Sequence, residues 1–234
     1  MCTVSFVPKS SSTFVLTSNR DEEPGRNTLP PQLYHLDGTD VVFPKDEVAG
    51  GTWIGVSGQK RLVCLLNGGF TAHQRKKKYR MSRGIIVTDL LTTHILMDEI
   101  RSYDFTEIEP FTIILVDWEK QLRLFELIWD GAHSHISEKP LVPTIWSSSL
   151  LYSNPIKNKR EEWFLKFLDS VGDHLTAESL LHFHKTAGDG SKDNDLIMDR
   201  GFVKTKSITQ IELKERTNFR YEDLQKKEIT TVAF

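Results

Sequence analysis

Residues 2–22 read CTVSFVPKSSSTFVLTSNRDE, and this stretch decides the fold of the N-terminal part of the chain. Two short runs rich in β-branched and aromatic residues, residues 2–7 and 13–18, flank a polar segment that begins with proline, which predicts a β-hairpin. In an antiparallel pair of similar lengths, the start of the first strand lies opposite the end of the second. The sequence therefore predicts that Cys2 lies beside the segment Asn19-Arg20-Asp21-Glu22.

Cys2 becomes the N-terminal residue if the initiator Met1 is removed. It would then carry a thiol and a free α-amine, and an N-terminal amine with its pKa near 8 can act as the base for its own side-chain nucleophile. Arg20 and Asp21 are of the types that stabilise a thiolate and orient an amine. On these residues alone, a small buried cysteine near an ion pair at a strand end remains the alternative.

Composition narrows the class of protein. The 234 residues carry 30 basic and 32 acidic side chains, so the net charge of −2 gives no global attraction for nucleic acid or an acidic lipid surface. The only cysteines are Cys2 and Cys64, which argues against a disulfide framework and favours a reducing compartment. No signal peptide opens the chain, and no apolar stretch approaches the roughly 18 residues of a membrane span. We expect a cytoplasmic protein with one domain over residues 1–234.

Strands and helices follow in a mixed order along the chain. After the first hairpin, the pattern predicts an irregular segment over residues 23–40 and a helix from Ser82 as N-cap to about residue 99. Further strands are predicted at residues 50–57, 61–66, 111–116, 122–129, 144–148, 205–213 and 218–222, and further helices at residues 159–170 and 177–185. Strands joined by hairpins, with helices between them, predict an α+β fold of antiparallel sheets with helices packed outside.

Several motifs occur in a fixed order and together resemble one family. They are Met1-Cys2, Asn19-Arg20-Asp21-Glu22, Gly50-Gly51-Thr52-Trp53-x-Gly55, Asn67, Ser82-Arg83-Gly84 and Tyr152-Ser153-Asn154. The chain resembles the NRDE family, also called the transport and Golgi organization 2 family, from residue 1 to about residue 210. That family is similar to the N-terminal nucleophile (Ntn) hydrolases, in particular the choloylglycine hydrolase and penicillin V acylase branch. The resemblance implies an αββα sandwich of two antiparallel sheets flanked by helices.

The resemblance also implies roles for six residues. Cys2 would be the nucleophile, Arg20 would lower the pKa of its thiol, and Asp21 would hold its α-amine. Asn67 and Asn154, each expected to end a strand, would donate to a developing oxyanion, although turn chemistry explains both asparagines equally well. The family pattern places a late arginine where this chain has Lys206, which keeps the charge but lacks the planar guanidinium.

Two functions of different classes remain open. One is a cysteine amidohydrolase that cleaves a non-peptide C–N bond in a small acylated substrate and requires no cofactor. The other is a non-catalytic protein that uses the same pocket for intracellular haem trafficking, with haem as its ligand, or for binding a lipid or acyl thioester. Under both functions we expect the partner to be a small molecule. The sequence determines neither the identity of that molecule nor the oligomeric state.

No metal site is predicted. His182 and His184 are two residues apart on a predicted helix and therefore do not face the same side. Residues 189–195 resemble a calcium loop but lack the glutamate at its twelfth position. The basic segment at residues 75–80 reads as a solvated loop, or as a contact for a phosphate or carboxylate on a ligand.

Overall fold

The computed structural model describes the backbone of residues 2–234 and the side chains of residues 3–234. The chain forms two compact units, the first made of residues 2–25 and 142–234 and the second of Arg26–Leu141. Each unit contains one antiparallel sheet, so the predicted α+β class with two antiparallel sheets is confirmed. The prediction of a single domain over residues 1–234 stays a prediction.

The strands, in chain order, are β1 (Cys2–Pro8), β2 (Phe14–Glu22), β3 (Thr28–Leu36), β4 (Thr39–Asp46), β5 (Ile54–Ser57), β6 (Arg61–Asn67), β7 (Phe111–Asp117), β8 (Arg123–Trp129), β9 (Ser134–Lys139), β10 (Thr144–Ser147), β11 (Lys204–Leu213), β12 (Thr217–Asp223) and β13 (Glu228–Ala233). The helices are α1 (Arg83–Thr92), α2 (Leu96–Ser102), α3 (Asn154–Val171) and α4 (Ala177–Thr186), and a single 3₁₀ turn spans Gly172–His174.

The first unit is built on a six-stranded sheet in the order β10-β1-β2-β11-β12-β13. Its centre is the predicted hairpin of β1 and β2, which pairs Cys2 with Arg20 at one end and Pro8 with Phe14 at the other. Helices α3 and α4 contribute to a buried apolar cluster beside this sheet, formed by Val7, Val15, Ile145, Phe164, Leu180, Phe183 and Leu196. This cluster holds α3 and α4 against one face of the sheet.

The second unit is built on a seven-stranded sheet in the order β3-β4-β5-β6-β7-β8-β9. Its central strands are almost wholly buried and apolar, and α1 packs against β5 and β6. Ser82 caps α1, as predicted, by accepting a hydrogen bond from the Gly84 N–H. A Cβ on Gly51 would lie 2.4 Å from the carbonyl carbon of Gly84. Two of the sequence motifs therefore form a close backbone contact in this unit.

The predicted helix at residues 82–99 is in fact two helices. Helix α1 ends at Thr92, and Thr93 adopts extended backbone angles. Two successive β-branched threonines favour helix less than most residues do. The guanidinium of Arg61 also donates to the carbonyls of Leu90 and Thr93, which satisfies acceptors that a helix end leaves free.

Four strands, β3, β4, β9 and β13, were not predicted, and the prediction of an irregular segment at residues 23–40 is wrong. The strand predicted at residues 50–57 begins only at Ile54. Strand β3 lies in that segment, at the edge of its sheet, and its pairing with β4 shifts register between Leu29 and Gln32. The intervening residues are Pro30 and Pro31, and an edge strand with a bulge is where a sheet tolerates proline. Strands β9 and β13 are also edge strands, and their largely exposed side chains give no apolar alternation. Among the described residues, no helix combines the length and the apolar character that a membrane crossing requires.

Candidate active site

The N-terminal hairpin brings the backbones of Cys2, Arg20 and Asp21 together in the first unit. In the β1–β2 ladder, Cys2 lies opposite Arg20 and Thr3 lies opposite Asn19. The prediction that Cys2 lies beside the Asn19–Glu22 segment is therefore met at the level of the backbone, while the side chain of Cys2 lies outside the described residues. Successive residues of a strand point to opposite faces, so Arg20 and Asp21 serve different sides of the sheet.

Asp21 is fully buried and held by two hydroxyl groups. Its carboxylate accepts hydrogen bonds from the Tyr152 hydroxyl at 2.6 Å and from Thr205 Oγ1 at 2.7 Å. Burial raises the pKa of Asp21, and the positive charge of Arg160 opposes that shift. A carboxylate that is fixed from two sides can orient a further donor without moving itself.

Arg160 supplies the buried positive charge of this network. Its guanidinium lies 3.6 Å from the centroid of the Tyr152 ring, within the range of a cation–π contact. It donates to the carbonyls of Asn194 at 2.9 Å and Asp195 at 2.7 Å, and also to the hydroxyl of Thr3. A buried cation is costly unless its N–H groups are hydrogen-bonded and an opposite charge lies near it. The hydrogen bonds meet the first requirement, and Asp21, whose pKa is raised by burial but lowered in part by the charge of Arg160, supplies the nearby carboxyl group.

His184 extends the polar network along the same side of the hairpin. Asn19 donates its side-chain N–H groups to the carbonyls of His184 and Leu196, so its Oδ1 accepts from His184 Nδ1 at 2.7 Å. Nε2 of His184 then accepts from the Ser5 hydroxyl at 2.7 Å. Burial, and secondarily Arg160, lowers the pKa of His184 to about 3. The imidazole is therefore neutral and serves as a structural hydrogen-bonding group.

Arg20 occupies the other side of the hairpin. It is buried, with one guanidinium nitrogen 3.7 Å from the Glu22 carboxylate. Strand β11 pairs with β2 through a register shift, in which Thr205 faces Asp21 and Ser207 faces Arg20, so Lys206 is the extra residue of a bulge. Burial and the nearby charge of Arg20 lower the pKa of Lys206, whose Nζ donates to the Pro24 carbonyl at 3.0 Å. The structure thus brings Lys206 into the field of Arg20.

The two asparagines are placed differently. Asn67 is the last residue of β6, as predicted, and it is half-buried in the second unit. Asn154 does not end a strand: β10 stops at Ser147, and Asn154 is the exposed first residue of α3. The prediction of its element is wrong because Pro155, taken as a turn residue, instead occupies the first turn of a helix, where proline is favoured. The oxyanion roles of both asparagines stay predictions.

Tyr152 and Arg160 were not predicted from the sequence as members of this network. Tyr152 belongs to the motif Tyr152-Ser153-Asn154, in which the expected role, that of an oxyanion donor, fell to Asn154. Arg160 was detectable, because it lies four residues after Ile156 and four before the buried Phe164, on the inward stripe of α3. An arginine in an apolar stripe indicates either a buried partner or a functional site.

The histidine prediction is consistent with the structure, since His182 is exposed and His184 is buried. Within the described part of the chain, no group of three or more histidine, cysteine, aspartate or glutamate side chains is arranged to hold a metal ion. The expectation of haem as a ligand stays a prediction.

The fold is that of the Ntn hydrolases. A variant of the conjugated bile acid hydrolase from Clostridium perfringens matches with a TM-score of 0.63 and 8% identity, over 99% of this chain and 92% of that one. Penicillin V acylase from Agrobacterium tumefaciens gives 0.62 and 9%, over 100% and 86%. The Caenorhabditis elegans ortholog of N-acylethanolamine-hydrolyzing acid amidase gives 0.60 and 11%, over 90% and 92%. At these identities the likeness shows the fold.

The family follows from the sequence. The sequence model of the Transport and Golgi organisation 2 family matches residues 1–200. The chain belongs to this family, and the resemblance inferred from its motifs is confirmed. A comparison with curated proteins gave no match.

Proposed function

We propose that this chain is a cysteine amidohydrolase that cleaves a non-peptide C–N bond in a small acylated substrate, with Cys2 as nucleophile. The observation that carries the proposal is the backbone pairing of Cys2 with Arg20, next to a buried Asp21 held by Tyr152 and Thr205. The names of three structural neighbours, a bile acid hydrolase, an acylase and an acid amidase, support the reaction class.

The reaction has two steps. The Cys2 thiolate attacks the amide carbonyl carbon, the C–N bond breaks, and the leaving nitrogen takes the proton that the α-amine removed from the thiol. The resulting thioester is then hydrolysed by water, which gives the carboxylic acid and restores the thiol. The α-amine of Cys2 is the base in both steps, so the mechanism requires that Met1 be removed.

The charges beside Cys2 are suited to these steps. Residues that face each other in an antiparallel ladder share one face of the sheet, which supports Arg20 as the cation that lowers the pKa of the Cys2 thiol. Lys206 adds a second positive charge near Arg20. Asp21 follows Arg20 along β2, directly after the residue that pairs with Cys2, which supports Asp21 as the group that orients the α-amine.

The oxyanion donors complete the proposal. The side-chain amides of Asn67 and Asn154 have the N–H groups that stabilise a tetrahedral intermediate. Loss of such a donor costs about a hundredfold or more in rate in enzymes of this kind, while an exposed asparagine contributes little to stability. Asn154→Ala is therefore expected to slow acylation strongly without changing the unfolding transition.

The first test has two readouts on the purified full chain. Intact-mass analysis establishes whether Met1 is absent, and a second spectrum after incubation with an activated acyl ester shows whether one acyl group is added. Peptide mapping should place that group on Cys2. Cys2→Ala should abolish the addition, whereas the matched control Cys64→Ala should leave it unchanged, because Cys64 is buried in β6.

Retention of Met1 in active protein would overturn the mechanism, because the α-amine would then be absent from Cys2. Equal acylation of the chain and the Cys2→Ala variant would remove Cys2 as nucleophile. If the acyl compound binds both forms with the same affinity and no acyl group is transferred, the pocket binds its ligand without turnover.

A further inference from the structure

A basic loop projects from the second unit between β6 and α1. It spans residues 73–83 and contains six arginines and lysines and no acidic residue, although the whole chain carries a net charge of −2. Apart from the start of α1 at Arg83, the loop forms no helix or strand. Six of the 30 basic side chains of the protein therefore lie within one segment of eleven residues.

The arginines of the basic loop fix it to the body of the unit. The carboxylate of the buried Glu109 forms ion pairs with the guanidinium groups of Arg75 and Arg83, each at 3.0 Å. Arg80 pairs with Asp104 at 3.3 Å and donates to the carbonyl of Thr106. These contacts neutralise two carboxylates and use the guanidinium groups within the protein.

The three lysines of the basic loop remain available for binding a partner. Lys76, Lys77 and Lys78 are exposed, and none of them forms an ion pair with any residue that the structure describes. Tyr79 directly follows the three lysines and is uncharged. Its hydroxyl accepts a hydrogen bond from the backbone N–H of Lys76, which holds the loop in position. The loop therefore presents three consecutive ammonium groups on a braced backbone.

An exposed aromatic residue lies at the start of the same connection. Phe70 follows β6 and is 54% exposed, with its ring edge-on to His135 at 5.0 Å. Exposed lysines and an exposed phenylalanine in one surface connection are a combination that suits a bilayer interface, where the charges meet anionic headgroups and the ring enters the acyl boundary. The basic loop forms no arginine fork of the kind that recognises a single phosphate, since its arginines are already paired.

We propose that the basic loop and Phe70 form a docking surface for an anionic lipid bilayer. The attraction is local and so acts despite the negative net charge, because charges more than about 10 Å apart are screened at moderate salt. Each lysine is expected to contribute roughly fivefold in affinity, and the three together roughly a hundredfold. Binding of this strength is reversible, so the protein would exchange between the membrane surface and solution.

The test measures co-sedimentation of the full chain with lipid vesicles. One set contains phosphatidylcholine alone, and the other contains two parts phosphatidylcholine to one part phosphatidylserine. We expect binding to the mixed vesicles only, with the binding weakened by added salt. Changing all three of Lys76, Lys77 and Lys78 to Gln should reduce it roughly a hundredfold, and changing them to Arg should preserve it.

A matched variant controls for total charge. Lys166, Lys226 and Lys227 are exposed and lie in the first unit, so changing these three to Gln alters the net charge equally. This variant should keep full binding. Phe70→Ala should lower the affinity for vesicles by the same factor at low and at high salt, because the contribution of the ring is apolar. All variants should retain the melting temperature of the parent.

Three results would overturn the proposal. They are equal binding to both kinds of vesicle, equal loss in the control and loop variants, and stronger binding of a mixed-sequence single-stranded RNA than of the vesicles at the same salt. The last would assign the basic loop to nucleic acid.

Discussion

Arg61 and Arg160 are both fully buried arginines, and they lie in different units of the molecule. Arg61 donates to the carbonyls at the end of α1 and lies 3.4 Å from Asp117, so it joins a helix end to the end of a strand. Arg160 lies against the Tyr152 ring, beside the buried Asp21. The same residue type thus completes the scaffold in one unit and sets the electrostatics of the candidate site in the other.

A second pair repeats this contrast. Tyr103 donates to Asp89 at 2.6 Å in the second unit, and Tyr152 donates to Asp21 at 2.6 Å in the first. Burial raises the pKa of both carboxylates. Of the two, only Asp21 is fully buried, and only Asp21 also accepts a hydrogen bond from the Thr205 hydroxyl. Equal hydrogen-bond lengths therefore do not imply equal roles, because the neighbours decide what each carboxylate does.

The largest effect is expected from removing the two arginine charges. Arg160→Met should lower the free energy of unfolding by about 3–5 kcal/mol, because it leaves buried acceptors unpaired. Arg61→Met should cost less, since Asp117 is partly solvated. Urea unfolding measures both. Among molecules that remain folded, only Arg160→Met should slow acylation of Cys2, and equal slowing by Arg61→Met would break the contrast between the units.

A smaller effect is expected from removing the tyrosine hydroxyls. Tyr152→Phe leaves one oxygen of a fully buried carboxylate without its donor and should cost about 1–3 kcal/mol. Tyr103→Phe removes a bond of the same length at a half-buried site and should cost about 0.5–1.5 kcal/mol. Chemical denaturation of both variants sharpens the comparison, and a larger loss in Tyr103→Phe would contradict it.

The last effect is a dependence of the free energy of unfolding on pH, which arises from His184. Its folded-state pKa of about 3 lies below the ordinary value of 6.5, so the unfolded chain binds this proton first as the pH falls. Stability from His184 is therefore complete above pH 6.5 and declines by at most about 1.4 kcal/mol per pH unit toward pH 3. Asp21 acts with the opposite sign, because its folded pKa is raised and its contribution is lost as the pH rises through that value.

His184→Gln isolates this contribution. Unfolding free energies at pH 7 and at about pH 5 should show the difference between the parent and this variant shrinking as the pH falls. His182→Gln is the control, because His182 is exposed on the same helix. A difference that stays constant between the two pH values would mean that His184 is protonated in the folded protein.

The sequence predicted the hairpin well because its alternation and turn are local. Residues 2–22 carry both strands and the turn between them, so the position of Cys2 opposite Arg20 needed no information from the rest of the chain. The family motifs added the candidate residues. The partners of Asp21 could not be predicted, because Tyr152 and Thr205 are more than 130 residues away in sequence, and their meeting depends on how β11 and the segment before α3 pack.

Other differences have local physical causes. The prolines of β3 mask a strand because they lie at a bulge on a sheet edge. Asn154 was assigned to a strand end because asparagine before proline also starts turns. Lys206 was expected near the nucleophile from the family pattern, but its position on a bulge was not visible in the alternation of residues 205–213.

The bulge at Lys206 shifts by one residue the alternation of side chains between the two faces of β11. In a regular strand Thr205 and Ser207 would point to the same face, yet here Thr205 faces Asp21 and Ser207 faces Arg20. One inserted residue thus places Thr205 and Ser207 on opposite sides of the hairpin and adds the charge of Lys206 near Arg20. Deleting Lys206 would leave Thr205 opposite Asp21 and Ser207 opposite Arg20 in an uninterrupted ladder, so the inserted residue gives the candidate site an extra cation without displacing either neighbour from its partner.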